Sequence, residues 1–476
     1  MDPSSDAPSG GRARLTAFRE VLLLVVWECL LVFVAMLFSP PLGDANQAVG
    51  LPSSLLSKFP ALSSMFFHSL ALPLVAVVAL LALSVFNTSG ERRLLTRGTV
   101  TLGCLMASGA MAFILVEGES PLAHSVMVVG MGLLAAGSAS LFLSLWPRRE
   151  PSSRMNLLGF DLLQLTMWIV FASAFIAVGI GSYAAFGNGQ WVNPPSLGPL
   201  PTLETIHESL IISFVDAAVV LLIAKWFRVE GYLGAPGTLA RLGLCGILVG
   251  TPISLVSIFE VASSASASSG LLTVLGSIPM QASIFLMCAI AAGERRRLGV
   301  VGPLGIARES LTFGLVFLIY WIDIAVTLPS VYIDSHFVRF SSQYYSVYFL
   351  AAFATGHEHA LVTLSAVLLF MLVTVMSGVR GKMGALAGLA FISGYILSTV
   401  ANNFYIFSIV PNGADYVPYI GDGIALIVVG VLLSLGGMLF QWLARRAPFR
   451  SLHGEIKGTP TSSSRSLALG EDEGGL

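Results

Sequence analysis

The sequence predicts an all-α, polytopic membrane protein with twelve transmembrane helices and both termini in the cytoplasm. Three observations carry that prediction. The 476 residues are 55% hydrophobic and only 11% charged, with a mean hydropathy of +0.84, whereas soluble domains carry roughly 25% charge. Apolar runs of about 20 residues, the length that crosses a bilayer, recur twelve times along the chain. Finally, lysines and arginines fall almost entirely on one side of those runs. A net charge of −1 without a basic face excludes a nucleic-acid binder. The four cysteines, Cys29, Cys104, Cys245 and Cys288, all sit inside apolar runs, so they form neither a CxxC pair, a CxxCH motif nor a secreted disulfide framework.

In order, the runs lie near 20–39, 65–87, 98–117, 122–146, 157–186, 205–227, 239–260, 270–292, 307–328, 345–379, 383–410 and 420–444. The first follows Arg12, Arg14 and Arg19 in the manner of a signal peptide. Its apolar stretch is too long for one, so it is read as a retained helix. With twelve spans, the N-terminus, the even-to-odd loops and the C-terminal tail share one side. That side holds 23 of the 25 lysines and arginines, leaving only Lys58 and Arg339 opposite. Positive loops stay in the cytoplasm, and one miscounted helix would scramble the split. Residues 1–18 and 447–476 are polar and rich in Ser, Gly and Pro, so disordered cytoplasmic tails flank a membrane domain of residues 19–446. No internal sequence repeat stands out, which disfavours transporters built from duplicated halves.

Seven histidines supply the candidate chemistry. His453 falls in the tail, His336 in an outer loop and His124 at a helix mouth, where interfacial histidines are ordinary. His357 and His359 lie within the tenth run. At about 100° per residue, an i, i+2 pair points in nearly opposite directions and cannot chelate one ion from a common face. Such a helix can ligate one group on each side, a geometry suited to planar cofactors. His359 precedes Arg380 by 21 residues, His68 precedes Arg92 by 24 and His207 precedes Lys225 by 18. At a rise of roughly 1.5 Å per residue these are roughly 32, 36 and 27 Å from the positive side. All three lie in one layer in the outer part of the membrane. Cofactor ligation and simple hydrogen bonding between helices both remain open at this point.

Twelve spans, a histidine near the start of the second and an H-x-H in the tenth resemble subunit I of the haem-copper oxidase superfamily, the large subunit of cytochrome oxidases and nitric oxide reductases. The nitric oxide reductase branch is the nearest in pattern. The resemblance covers residues 15 to 445. Its best stretches are FPALSSMFFHSLALPLVAVVALL around His68 and YYSVYFLAAFATGHEHALVTLSAVLLFMLV around His357 and His359, with GSIPMQASIFLMCAIAAGE at 276–294 similar to the family's eighth helix. The resemblance implies that His68 and His359 are the axial ligands of a low-spin haem. It also implies that His357 ligates the iron of a second, high-spin haem on the other face.

The chain departs from that family at the second metal. His207, in ETIHESLIISF, stands where the sixth-helix ligand is expected, yet no histidine occurs between His207 and His336. The stretch where a histidine pair belongs reads SIFEVASSASASSG, with Glu260 and serines. His207 with Glu208 or Glu260 is an incomplete ligand set, and no tyrosine follows His207 closely. The pattern therefore argues against copper or non-haem iron, with His207 the weak candidate for such a metal.

The remaining intramembrane carboxylates are Glu28, Asp161, Asp216 and Asp323, read as protonated packing residues or as proton relays. Asn402 and Asn403 are candidates for a cofactor edge. Arg339 is a candidate partner for haem propionates, since its guanidinium suits bidentate binding. Trp146, Trp191, Trp442, Tyr344 and Tyr345 fall near span ends, as expected of interfacial aromatics.

The expected function is a b-type cytochrome of a respiratory electron-transfer chain in the plasma (cytoplasmic) membrane. It would bind one or two b-type haems, with a redox partner subunit or outer-side cytochrome as electron partner. Two alternatives stay open. One is an active terminal oxidase or nitric oxide reductase with an atypical metal site, and the other is a twelve-span secondary transporter.

Overall fold

The computed structural model describes residues 19–31, 59–86, 90–117, 120–150, 153–187, 200–263, 278–297, 363–379, 381–407 and 417–445. Within them the chain is predominantly helical. The helices are α1 (19–31), α2 (Phe59–Val85), α3 (Gly90–Glu117), α4 (Pro121–Ser144), α5 (Leu162–Gly187) and α6 (Leu200–Trp226). They continue with α7 (Gly234–Ser263), α8 (Ile278–Arg297), α9 (Thr363–Met376), α10 (Gly381–Phe407) and α11 (Val417–Arg445). Six of these described helices, α3, α4, α5, α7, α10 and α11, contain stretches long and apolar enough to cross a membrane. The ninth apolar run, 307–328, the 1–18 segment and the 447–476 tail lie outside the described residues.

Local chemistry fixes the element ends. Ser120 is extended (φ −135°, ψ 129°) and Pro121 opens α4, where its missing N–H costs nothing. Pro73 and Pro252 lie inside α2 and α7, as membrane helices tolerate when neighbouring helices satisfy the freed carbonyl.

One boundary departs from expectation. The fifth run, read as helical from 157, begins instead with a hairpin in which β1 (Asn156–Leu157) pairs antiparallel with β2 (Phe160–Asp161). Its two-residue turn, Leu158 and Gly159, has φ of +53° and +89°. Asp161 is therefore not an intramembrane carboxylate. Its Oδ1 accepts from the Gln164 backbone N–H at 2.8 Å and its Oδ2 from the Ser153 hydroxyl at 2.7 Å. It caps the N-terminus of α5, where an acid suits the orphan N–H groups.

Three helix pairs pack most extensively: α3 with α4, α7 with α8, and α10 with α11. Each approaches through small residues. On α4 the buried set Ala123, Gly130, Gly137 and Ser144 repeats every seven residues. A side chain at Gly130 would stand 2.5 Å from the Ala107 backbone nitrogen and 2.9 Å from the Gly103 carbonyl oxygen. On α11 Gly423, Gly430 and Gly437 repeat the device, with the Gly423 position 2.6 Å from the Gly394 carbonyl oxygen. Without a hydrophobic driving force between helices in lipid, close backbone approach is the main source of association.

Three other helices carry stretches that are buried on every face. Ala76–Leu83 of α2 and Phe214–Ala224 of α6 are continuously buried, and most of α9 from Leu364 to Thr374 is buried too. A helix apolar and buried all round belongs to the interior. α6 packs directly on α2, α5, α7 and α8. Among the twelve apolar runs these central helices are the second, sixth and tenth, and the close pairs are the third with fourth, seventh with eighth and eleventh with twelfth. The residues show no repeat, yet the packing recurs every four runs.

Candidate functional site

His68 lies on α2 and His207 on α6. Their side chains, and all of His357, His359, Arg339 and His336, lie outside the described residues, as does Asp323. What the structure places is the scaffold around them. His68 precedes the end of α2 at Val85 by 17 residues, and His207 precedes the end of α6 at Trp226 by 19. In sequence His359 precedes Met376, the last residue of α9, by 17. Measured from the same ends of the three central helices, these positions differ by two residues, roughly 3 Å of rise. Ser69, beside His68, and Leu210, one turn past His207, are buried at 3% and 0% exposure.

Helix α6 joins the other two central helices. It packs on α2, and its Asp216 stands beside Ser365 of α9. Asp216 is 1% and Ser365 2% exposed. Neither carboxylate oxygen of Asp216 nor the Ser365 hydroxyl closes a hydrogen bond among the described residues. Several other buried polar groups are satisfied across helix contacts. Thr96 and Ser140 share a hydrogen bond of 2.6 Å, Thr374 donates to Ser434 at 2.9 Å, and the Trp27 indole donates to Ser108 at 2.9 Å. Sequence reading singled out Asp216 among the acids but missed Ser365, because a lone serine in an apolar run carries no signal of its own.

The other expected residues separate. Glu28 is on α1 beside α3, with its Oε2 buried and without a hydrogen-bond partner among the described residues. Asn402 is buried on α10, and Asn403 has no described side chain. His124 sits in the first turn of α4, with Nδ1 3.1 Å from the Ser120 carbonyl oxygen. Trp146 is half-exposed and meets Trp168 edge-on at 5.1 Å between ring centres. All four cysteines are free. Among the described residues no three His, Cys, Asp or Glu side chains gather closely enough to hold a metal ion.

The Lys225 end of the central helices carries a polar cap. Lys225 pairs with Glu230 at 3.0 Å and lies 5.8 Å over the Phe86 ring of the α2 terminus. The Tyr232 hydroxyl donates to Glu294 at 3.1 Å, tying the α6–α7 connection to the last turn of α8. This end is closed by paired charges, while the opposite ends of the same helices carry the histidines.

The chain matches no family model, no curated protein and no solved structure.

Proposed function

We propose that the protein is a haem-binding electron carrier of a respiratory chain, built on twelve transmembrane helices with both termini in the cytoplasm. The observation that carries this reading is the coincidence of chemistry with burial. His68, His207 and the His357–His359 pair fall, by sequence, on or shortly before the three helices whose described central stretches are buried on all sides. They do so at matched distances from those helices' ends. A surface-facing or scattered set would not support it.

The donor chemistry fits a bis-imidazole iron. His68 and His359 would hold a b-type haem between α2 and the segment preceding α9, and His357, which helical spacing would set roughly 200° from His359, would hold a second on the far side. The bound group would supply reversible one-electron transfer. The chain's own part is to place imidazoles at one level, to exclude water with the apolar interior of α2, α6 and α9, and to offer Arg339 to the propionates. His207 alone, without a histidine pair on the following helix, does not complete a site for copper or non-haem iron. The level of the histidines, far from the Lys225 end, suits a redox partner on the outer face of the plasma membrane.

The dithionite-reduced visible spectrum of the purified protein, with and without carbon monoxide, tests this. Sharp low-spin bands indifferent to carbon monoxide are expected from His68 and His359. A carbon-monoxide-shifted component would assign an open iron site to His357 and bring ligand reduction back into consideration. Folded protein without haem bands would overturn the reading.

A further inference from the structure

We propose that Asp216, facing Ser365 where α6 meets α9, is a proton-binding site in the membrane core. The site goes beyond the electron-carrier reading and stands independently of it, because it rests on residues well away from the histidine layer. Asp216 follows His207 by nine residues and precedes Lys225 by nine. It therefore lies roughly 14 Å along α6 from each.

Burial of a carboxyl group in apolar surroundings costs several kcal/mol unless it is neutral, paired or fully hydrogen-bonded. Asp216 is 1% exposed, and none of the three oxygens at this contact closes a hydrogen bond among the described residues. Among the described residues Asp216 forms no ion pair either. α2, α5 and α9 contain no Asp, Glu, Lys or Arg. α7 carries Arg241 in its second turn and Glu260 in its last, and α8 carries Glu294 and Arg295–Arg297 in its last turns. These charges belong to helix ends, and α6 itself has only Glu204, Glu208 and Lys225 besides Asp216, likewise toward its ends.

Where helix contacts allow it, buried polar groups close bonds to each other, as Thr374 does to Ser434 and Thr96 to Ser140. The Asp216–Ser365 contact leaves two carboxylate oxygens and a hydroxyl available to a small polar guest. A proton meets both requirements at once. Uptake forms one O–H bond on a carboxylate oxygen and removes the uncompensated charge, and release breaks the same bond. Solvent is the source and the sink, and no electron moves. The Ser365 hydroxyl is then the neighbouring group that a small shift would bring to the carbonyl oxygen of the neutral acid as a donor.

Infrared spectroscopy of the purified full-length protein reads this directly. Wild-type protein is expected to show a carboxylic-acid C=O band that moves on carboxyl-13C aspartate labelling and shifts downward in D2O. The band is lost in Asp216→Asn and moves upward in Ser365→Ala, where the hydrogen bond to the carbonyl is removed. Should Asp216→Asn fail to fold, Asp216→Glu is expected to retain an acid band that no longer responds to the aspartate label. The absence of any aspartate-derived acid band in folded wild-type protein overturns the proposal. So does a band that survives Asp216→Asn, or one that never responds to D2O. A wild-type band that Ser365→Ala leaves in place overturns the pairing with Ser365. None of these outcomes depends on haem, so failure here and failure of the electron-carrier reading are separate results.

Discussion

Arg97 of α3 grips Glu20 of α1 at two points, Nε to Oε2 at 2.7 Å and Nη2 to Oε1 at 2.6 Å. The Arg97 side chain is only 9% exposed and that of Glu20 28%. A two-point guanidinium–carboxylate pair is both stronger and more directional than a lysine contact. It fixes the axial register of the first helix against the third, and the Trp27–Ser108 hydrogen bond repeats that tie two turns further along. Truncating one partner strands the other charge in a largely buried place. Glu20→Ala is therefore expected to destabilise by roughly 3 kcal/mol, the low end for a broken buried pair. Arg97→Lys, which keeps a one-point contact to Glu20, should lose less. Thermal unfolding of the purified protein in detergent checks both, and an unchanged midpoint for Glu20→Ala would show that the pair contributes no net stability.

The glycines of α4 give a prediction with its own control on the same helix. At Gly130 an added methyl group would meet the α3 backbone at 2.5 Å, while at Gly132 it would meet nothing within 4 Å. Gly130→Ala must push α3 and α4 apart and is expected to cost about 1–3 kcal/mol, as overpacking does. Gly132→Ala is expected to be neutral or to stabilise by about 0.5–1 kcal/mol through reduced backbone freedom of the unfolded chain. The unfolding midpoint of Gly130→Ala should fall while that of Gly132→Ala stays or rises.

Some of this architecture was legible in the sequence and some was not, for physical reasons. Run length and composition exposed the helices, because a bilayer imposes one length and one polarity on whatever crosses it. The same uniformity hides the packing. The apolar faces of α2 and α11 look alike in hydropathy, although α2 is interior and α11 is only 33% buried along its apolar window. The better signal was the spacing of small residues, since 123, 130, 137 and 144 on α4 and 423, 430 and 437 on α11 mark the close contacts. Asp161 was misplaced because an acid next to an apolar run reads as part of it. Only the pairing of Ser153 and Gln164 with its carboxylate reveals a cap. Histidine depth could be counted from sequence, but the partner of Asp216 could not, because an interhelical neighbour leaves no mark on either strand of text.

The Asp161 cap and the turn before it yield a pair of opposite effects. Asp161→Ala removes the acceptor for the Gln164 N–H and the Ser153 hydroxyl, and the expected loss is about 1 kcal/mol. Asp161→Asn keeps an acceptor and should lose less. Three residues earlier, Leu158 holds φ at +53° while 87% exposed, so it bears left-handed strain without burying its side chain. Leu158→Gly should relieve that strain and stabilise the hairpin by roughly 1 kcal/mol. Chemical denaturation of the three variants in one detergent checks the order, and a destabilised Leu158→Gly would mean that the leucine makes a contact of its own.

Substitution of the histidines one at a time separates the proposed ligands from the other histidine of the central helices. His68→Ala and His359→Ala should each abolish the low-spin bands, because a bis-imidazole iron loses its spin state when either axial ligand goes. His357→Ala should leave those bands intact and remove only a carbon-monoxide-sensitive component, since helical spacing would set it roughly 200° from His359. His207→Ala should leave both unchanged, because α6 contributes enclosure rather than a ligand in this arrangement. The informative comparison is haem content per folded protein for His68→Ala against His207→Ala. Equal loss in the two would mean that the bundle holds haem by enclosure or by a different ligand pair, and the assignment of His68 and His359 would fall.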